Sequence, residues 1–203
     1  MTDSYLSIRA PASARITRER SRFVGLLFPG RNEEEVSRIL ERVRKEHHDA
    51  SHRPFAYRLF RDASVLARAE DAGEPKGTAG APILRELEAA GLFDLVAVVV
   101  RYFGGVKLGR GGLARAYADA THEAIAAAAL VETRRDVRVA VRFPPELGSG
   151  VMGLVRRHAT AVEAVDYTQG GRLLVLLPPS RLARFAAELA EVTGARAHCE
   201  EEP

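Results

Sequence analysis

Cysteine is nearly missing from this chain. Cys199 is the only one in 203 residues, so no disulfide can close within it. Lysine is scarce as well, three residues against 27 arginines. Apolar runs such as Leu95 to Val100 and Leu173 to Leu177 fall far short of the roughly 20 residues a membrane-spanning helix needs. No positively charged leader precedes an apolar stretch at the start. These absences give the expectation of a soluble cytoplasmic protein with no membrane partner. Excess charge is also lacking: the formal net charge is +3, short of the strongly cationic balance of a nucleic-acid packager.

What is present is an ordinary apolar fraction of 46%, enough to build a real core in one large or two small domains. Glycine is concentrated. Nine of the 17 glycines lie between Gly73 and Gly112, most of them in two loops. Ordering glycine is costly, so such density marks backbone that bends tightly or lets a partner come close. Two of the three lysines, Lys76 and Lys107, lie in these same loops, while Lys45 does not. An ammonium meets a phosphate as a compact point charge, unlike the guanidinium fork.

Read in order, the chain opens with short strands over Tyr5–Arg9, Ala14–Thr17 and Arg22–Phe28. Asn32 and Glu35 form a capping box for a helix to about Glu46, with Val36, Ile39, Leu40 and Val43 as its apolar stripe. His47 to His52 reads as a polar connector, with a functional His52 and a metal site as the lesser readings. Pro54–Phe60 and Val65–Ala69 are extended. A helix follows around Pro82, closed by Gly91. Leu95 to Val100 reads as a strand buried on both faces. The next helix is expected from near Gly112 to about Leu130. A charged junction at Glu132 to Asp136 divides residues 1–133 from residues 134–203. The second part reads β-α-β-β-α-β, the ferredoxin-like order, ending in a strand over Ala195–Cys199 and a frayed acidic Glu200-Glu201-Glu202.

The second glycine loop joins a buried strand to a helix start, where free N–H groups and the helix dipole favour an anion. Arg101, Lys107, Arg110 and Arg115, with Lys76 from the first loop, form the candidate anion- or RNA-binding set. The Walker and dinucleotide fingerprints are both excluded by spacing. In the first loop Asp71 and Glu74 read as turn-capping carboxylates, with magnesium binding or acid–base work as the alternative. The rings of Tyr102, Phe103 and Tyr117 are expected in the core. No nucleophile–base pair declares itself, and neither a metal nor a cofactor is expected.

Glu74-Pro75-Lys76-Gly77-Thr78-Ala79-Gly80, followed by Arg101-Tyr102-Phe103-Gly104-Gly105-Val106-Lys107-Leu108-Gly109 and Gly111-Gly112-Leu113-Ala114-Arg115-Ala116-Tyr117, resembles the YigZ/IMPACT family over essentially the whole chain. Its motif positions here are His52, Asp71, Glu74, Gly104, Gly105, Gly109, Gly111 and Gly112. Two departures stand out. Pro54 replaces the family's usual cysteine, closing a thiol route there, and Ala72 replaces a common aspartate, weakening a two-aspartate metal site. The resemblance implies an α+β, two-domain chain. Its first domain would be a β-α sandwich like a ribosomal small-subunit protein domain and elongation factor G domain IV, and its second would be ferredoxin-like. It also implies a link to translation, since eukaryotic relatives are translation regulators that act through a protein partner. A proline-dipeptidase label carried by some bacterial relatives finds no ligand set here. The resulting expectation is a non-enzymatic, translation-associated protein binding RNA or ribosome phosphates. An enzyme acting on a phosphorylated or peptide substrate and a protein-interaction module are the alternatives.

Overall fold

In the computed structural model, residues 3–61, 64–168 and 170–202 are described. The chain divides into two compact units. One is Tyr5–Thr133, and the other joins residues 3–4 to residues 134–202. Among the described residues no helix is long and apolar enough to cross a membrane.

The first unit is built on a five-stranded antiparallel sheet. Its strands are β2 (Ala12–Arg18), β3 (Ser21–Pro29), β4 (Phe55–Arg61), β5 (Ser64–Glu70) and β6 (Leu95–Tyr102), in the order β2-β3-β6-β4-β5. Central β6 is buried on both faces, as its β-branched run predicts. Leu95, Ala97 and Val99 join one apolar cluster with residues of α2 (Gly80–Ala89) and α3 (Gly109–Ala126). Val96, Val98 and Val100 join another with Val36 and Val43 of α1 (Glu33–Glu46). The alternation follows from the two-residue period of a strand. Where α3 crosses β3, Gly25 leaves no room for a side chain: a Cβ there would lie 2.2 Å from the Ala120 carbonyl oxygen. The β2–β3 turn places Glu19 and Arg20 at φ 43° and 62°, as a two-residue hairpin of the tight, right-twisting kind demands.

Helix α1 begins as its sequence dictates. Asn32 Oδ1 accepts from the Glu35 N–H at 2.8 Å, and the Glu35 carboxylate reaches back to the Arg31 N–H. Its far end is closed by Arg53, whose guanidinium donates to the carbonyls of His47, His48 and Ala50. The His47–His52 connector is thus organised by an arginine on helix-end carbonyls.

Helix α3 departs from expectation at both ends. It starts at Gly109, so Gly109 to Gly112 are its first turn. It stops at Ala126 despite an alanine run with high helical propensity. The chain instead turns into β7 (Leu130–Arg134), which pairs with β1 (Ser4–Ile8), and the Arg9 N–H donates to the Ala129 carbonyl. Tertiary pairing overrides local propensity here, and the charged stretch read as a junction is largely strand.

The second unit follows β8 (Val137–Phe143), α4 (Gly148–His158), β9 (Ala161–Asp166), β10 (Gly171–Leu177), α5 (Pro179–Thr193) and β11 (His198–Glu202), with an antiparallel sheet in the order β11-β8-β10-β9. Val139, Val141, Leu173 and Val175 form its core with Val151, Leu154, Phe185 and Leu189 of the helices. The acidic end is not frayed. Glu200 and Glu202 lie in β11, paired with β8, and their carboxylates meet Arg142 and Arg172. Within this unit Asp3 caps α5, its carboxylate accepting from the Ser180 N–H at 2.9 Å and from the Ser180 hydroxyl.

Candidate functional site

The motif residues converge on Arg101, at the end of β6. Its parity along the strand is that of Leu95, Ala97 and Val99, so its side chain turns toward α3. It is 5% exposed. Nη1 donates to Glu74 Oε1 at 2.7 Å, and the same oxygen accepts from the Tyr117 hydroxyl of α3 at 2.6 Å. One buried carboxylate thereby joins the first loop, the end of β6 and α3. Burial, and then the adjacent Glu74 carboxylate, push the Tyr117 phenol far above its ordinary pKa. Among the described residues, Arg101 Nε is buried without a partner. Arg101 therefore leaves the anion-binding set predicted from sequence, because its charge is committed to Glu74 inside the protein.

His52 reaches the same point through the backbone. It bridges Arg101, the Arg101 N–H donating to the His52 carbonyl at 2.9 Å. Its ring lies against the first loop, with Nδ1 3.1 Å from the Ala72 carbonyl oxygen, an arrangement that places the proton on Nδ1. Asp71 is a loop cap: its two oxygens accept from the N–H groups of Gly77 at 2.7 Å, Ala79 at 3.0 Å and Gly80 at 2.9 Å. Partial burial would raise its pKa, but the three N–H donors and the charge of Arg110 hold it below the usual carboxylate value. The capping reading of Asp71 is the observed one. Glu74 differs, its carboxylate serving the buried pair instead of a turn.

These commitments bear on acid–base chemistry. Asp71, Glu74 and His52 Nδ1 each already have a structural partner. A groove that reaches Ala72, lined by Leu40, Val43, Arg53, Phe55 and Glu70 among others, includes none of the three. Among the described residues no three His, Cys, Asp or Glu side chains gather as a metal site. His47, the first of the connector histidines, is engaged with the Tyr102 hydroxyl at 2.7 Å.

The remaining basic residues are on the surface. Lys76, Lys107, Arg110 and Arg115 are all exposed. The two loops, distant in sequence, are tied together: Arg110 Nη2 donates to the Lys76 carbonyl at 2.8 Å. Helix α3 starts with no side-chain cap and no acidic residue in its first turn. Its opening N–H groups, at Gly109 to Gly111, lack intrahelical partners by construction. Gly105 and Gly109, at φ 89° and 67°, shape the approach. Gly104 has a different role. A Cβ there would come within 2.1 Å of the Arg20 backbone, and its N–H donates to the Oγ of buried Ser21 at 3.1 Å. The second loop is thus seated on the β2–β3 hairpin.

The sequence pattern predicts all three rings of this region in the core. Tyr117 is there, fully buried, and Tyr102 is half-buried under the guanidinium of Arg22. Phe103 is not: it is 51% exposed. Its N–H is held by Ser51 Oγ at 3.1 Å, and the Arg101 guanidinium lies over its ring at 5.4 Å. Ser51 and Ser21 fall outside the predicted site residues. Neither carries a sequence signal beyond being a small polar residue beside a turn.

Comparison with known proteins matches the Impact N-terminal domain to residues 19–125. An IMPACT family member of Thermus thermophilus is 45% identical over 79% of this chain and 86% of its own length. The IMPACT family member YigZ of Escherichia coli is 32% identical over 93% of each chain. A crystal structure of a hypothetical protein superposes with a TM-score of 0.72 at 30% identity, covering 100% of this chain and 99% of the other.

Proposed function

This chain belongs to the IMPACT family, and we propose that it works without catalysis, as a translation-associated protein that holds RNA or ribosome phosphates at the second glycine loop. The observation that carries the reading is the start of α3 at Gly109, uncapped, with Lys107, Arg110 and Arg115 exposed around it. A helix start with free N–H groups attracts an anion, and the neighbouring cations add formal charge. Lys76 adds a fourth cation from the loop that Arg110 ties alongside. The translation link is an expectation from the family likeness, as are a cytoplasmic setting, a ribosomal-protein-like first domain over residues 1–133 and a ferredoxin-like second over residues 134–203. A protein of the translation machinery is a further partner in this reading. The enzyme alternative is disfavoured by Glu74, whose carboxylate is buried on Arg101 and Tyr117.

The test is binding to structured RNA and to ribosomes across a salt series. Affinity falls steeply with salt if phosphates are held. Replacing Lys107 and Arg110 together by alanine lowers affinity and flattens the slope by about 0.7 for each phosphate no longer neutralised. Unchanged RNA affinity in the double variant rules the proposal out.

A further inference from the structure

We propose that the second loop recognises unpaired RNA, with Phe103 as the platform on which one base stacks while its phosphates lie at Lys107, Arg110 and the start of α3. This rests on the phosphate reading above and names the class of RNA.

The argument begins with the exposure of Phe103. Half of a phenylalanine stands in water, on the short segment that leads from β6 to the first turn of α3. The fold fixes its place. Its N–H is bonded to Ser51 Oγ, the preceding β6 residues are paired with β3, and the following Gly104 is pressed against the Arg20 backbone with no space for a Cβ. With its backbone anchored on both sides, the residue cannot move into the core without dismantling those contacts. The Arg101 guanidinium over the ring is itself fixed by Glu74, so the ring is supported from beneath by a buried ion pair. A cation on one side of an aromatic ring is favourable, and the exposed part of the ring is left for a ligand.

Charge selects the ligand. A hydrophobic peptide segment would cover the ring but leave the exposed Lys107 and Arg110 of the same loop and helix start without a counter-charge. A single strand of RNA supplies a flat π face and a phosphate in every unit, matching one exposed aromatic ring on the same short segment that carries Lys107 and leads into Arg110. Single-strand binders combine these two elements, stacking and a basic track. In a duplex the bases are stacked on one another and unavailable to a ring of this kind.

The experiment measures binding of a labelled short oligouridylate, the same oligomer with abasic positions, and a duplex RNA, to wild type, Phe103→Ala, Phe103→Tyr and Lys107→Ala/Arg110→Ala. Phe103→Ala is expected to weaken oligouridylate binding about 5- to 150-fold, the range for losing one stacked base, with the salt slope unchanged. Phe103→Tyr retains binding. Wild type and Phe103→Ala bind the abasic oligomer and the duplex equally. Phe103 is half exposed, so its replacement leaves the fold intact, as an unchanged unfolding midpoint would verify. Equal oligouridylate affinity in wild type and Phe103→Ala, or a wild-type preference for duplex, overturns the stacking proposal and leaves the phosphate reading standing. No salt-dependent binding of any RNA by wild type overturns both.

Discussion

Arg101 donates to Glu74 at 2.7 Å with the two side chains only 7% and 2% exposed. A pair so far from water is held by geometry more than by net stability, because desolvation offsets most of the attraction. Removing one partner is a different matter, since the other is left charged and buried. Glu74→Ala is expected to cost about 3–5 kcal/mol. Adding Arg101→Met should restore part of that loss. Urea unfolding of the two single variants and the double variant measures the coupling. Additive losses would show that the two side chains do not act as a pair.

The Tyr117 hydroxyl completes this cluster, and its raised pKa carries a sign. The folded state keeps the phenol protonated where the unfolded chain, near pKa 10, gives up its proton. Stability is therefore full below about pH 10 and falls above it, by about 1.4 kcal/mol per pH unit for each such phenol. Tyr5 adds to the same trend, because burial and then Asp94 raise its pKa as well. Phenolate absorbance from these two should appear only with unfolding. Tyr117→Phe should remove one phenol's share of the alkaline slope, at a cost of about 1–3 kcal/mol for the acceptor left on Glu74.

The glycines of the motif separate into those that a side chain would disrupt and those it would not. At Gly104 a Cβ would strike the Arg20 backbone at 2.1 Å, and backbone cannot swing aside. Gly104→Ala is expected to cost about 1–3 kcal/mol, as overpacking does. Gly111 has open space around it and lies in the first turn of α3. Gly111→Ala should stabilise by up to about 1 kcal/mol through backbone entropy. Thermal midpoints moving in opposite directions would bear this out, and a harmless Gly104→Ala would contradict the seating of the loop on the hairpin.

This contrast shows where the sequence is informative. The cap of α1, the two-sided burial of β6 and the alternation of β8 follow from local pattern. The inward turn of Arg101 was also legible, because it shares strand parity with Leu95, Ala97 and Val99; its charge argued for the surface more loudly than its position argued for the core. Glu74 as its partner was not legible, since a separation of 27 residues hides the pairing. Nor was the strand at Glu200 to Glu202. An acidic run reads as solvated until the arginines of β8 and β10 are brought across from it by pairing. Phe103 is the reverse case: hydrophobicity argued for burial, while Ser51 and Gly104 hold it outside.

Asp71 gives the acid limb. Its folded pKa is depressed by three backbone N–H donors and by Arg110, so it contributes stability above its unfolded pKa of about 3.9. That contribution is lost as pH falls through the lower folded value. Asp71→Ala removes the acceptor for Gly77, Ala79 and Gly80 at the entry to α2, and is expected to cost about 1–2 kcal/mol, as loss of a helix cap does. Asp71→Asn keeps one amide oxygen for the N–H groups and should cost less, while removing this group's share of acid sensitivity. Urea midpoints at pH 7 and pH 3 for the three proteins decide it: the gap between wild type and Asp71→Asn must narrow at the lower pH. Because Arg110 holds the neighbouring Lys76 carbonyl, loosening the first loop should also weaken RNA binding at the second. An Asp71→Ala variant with full RNA affinity would show that the two loops are joined in structure and independent in binding.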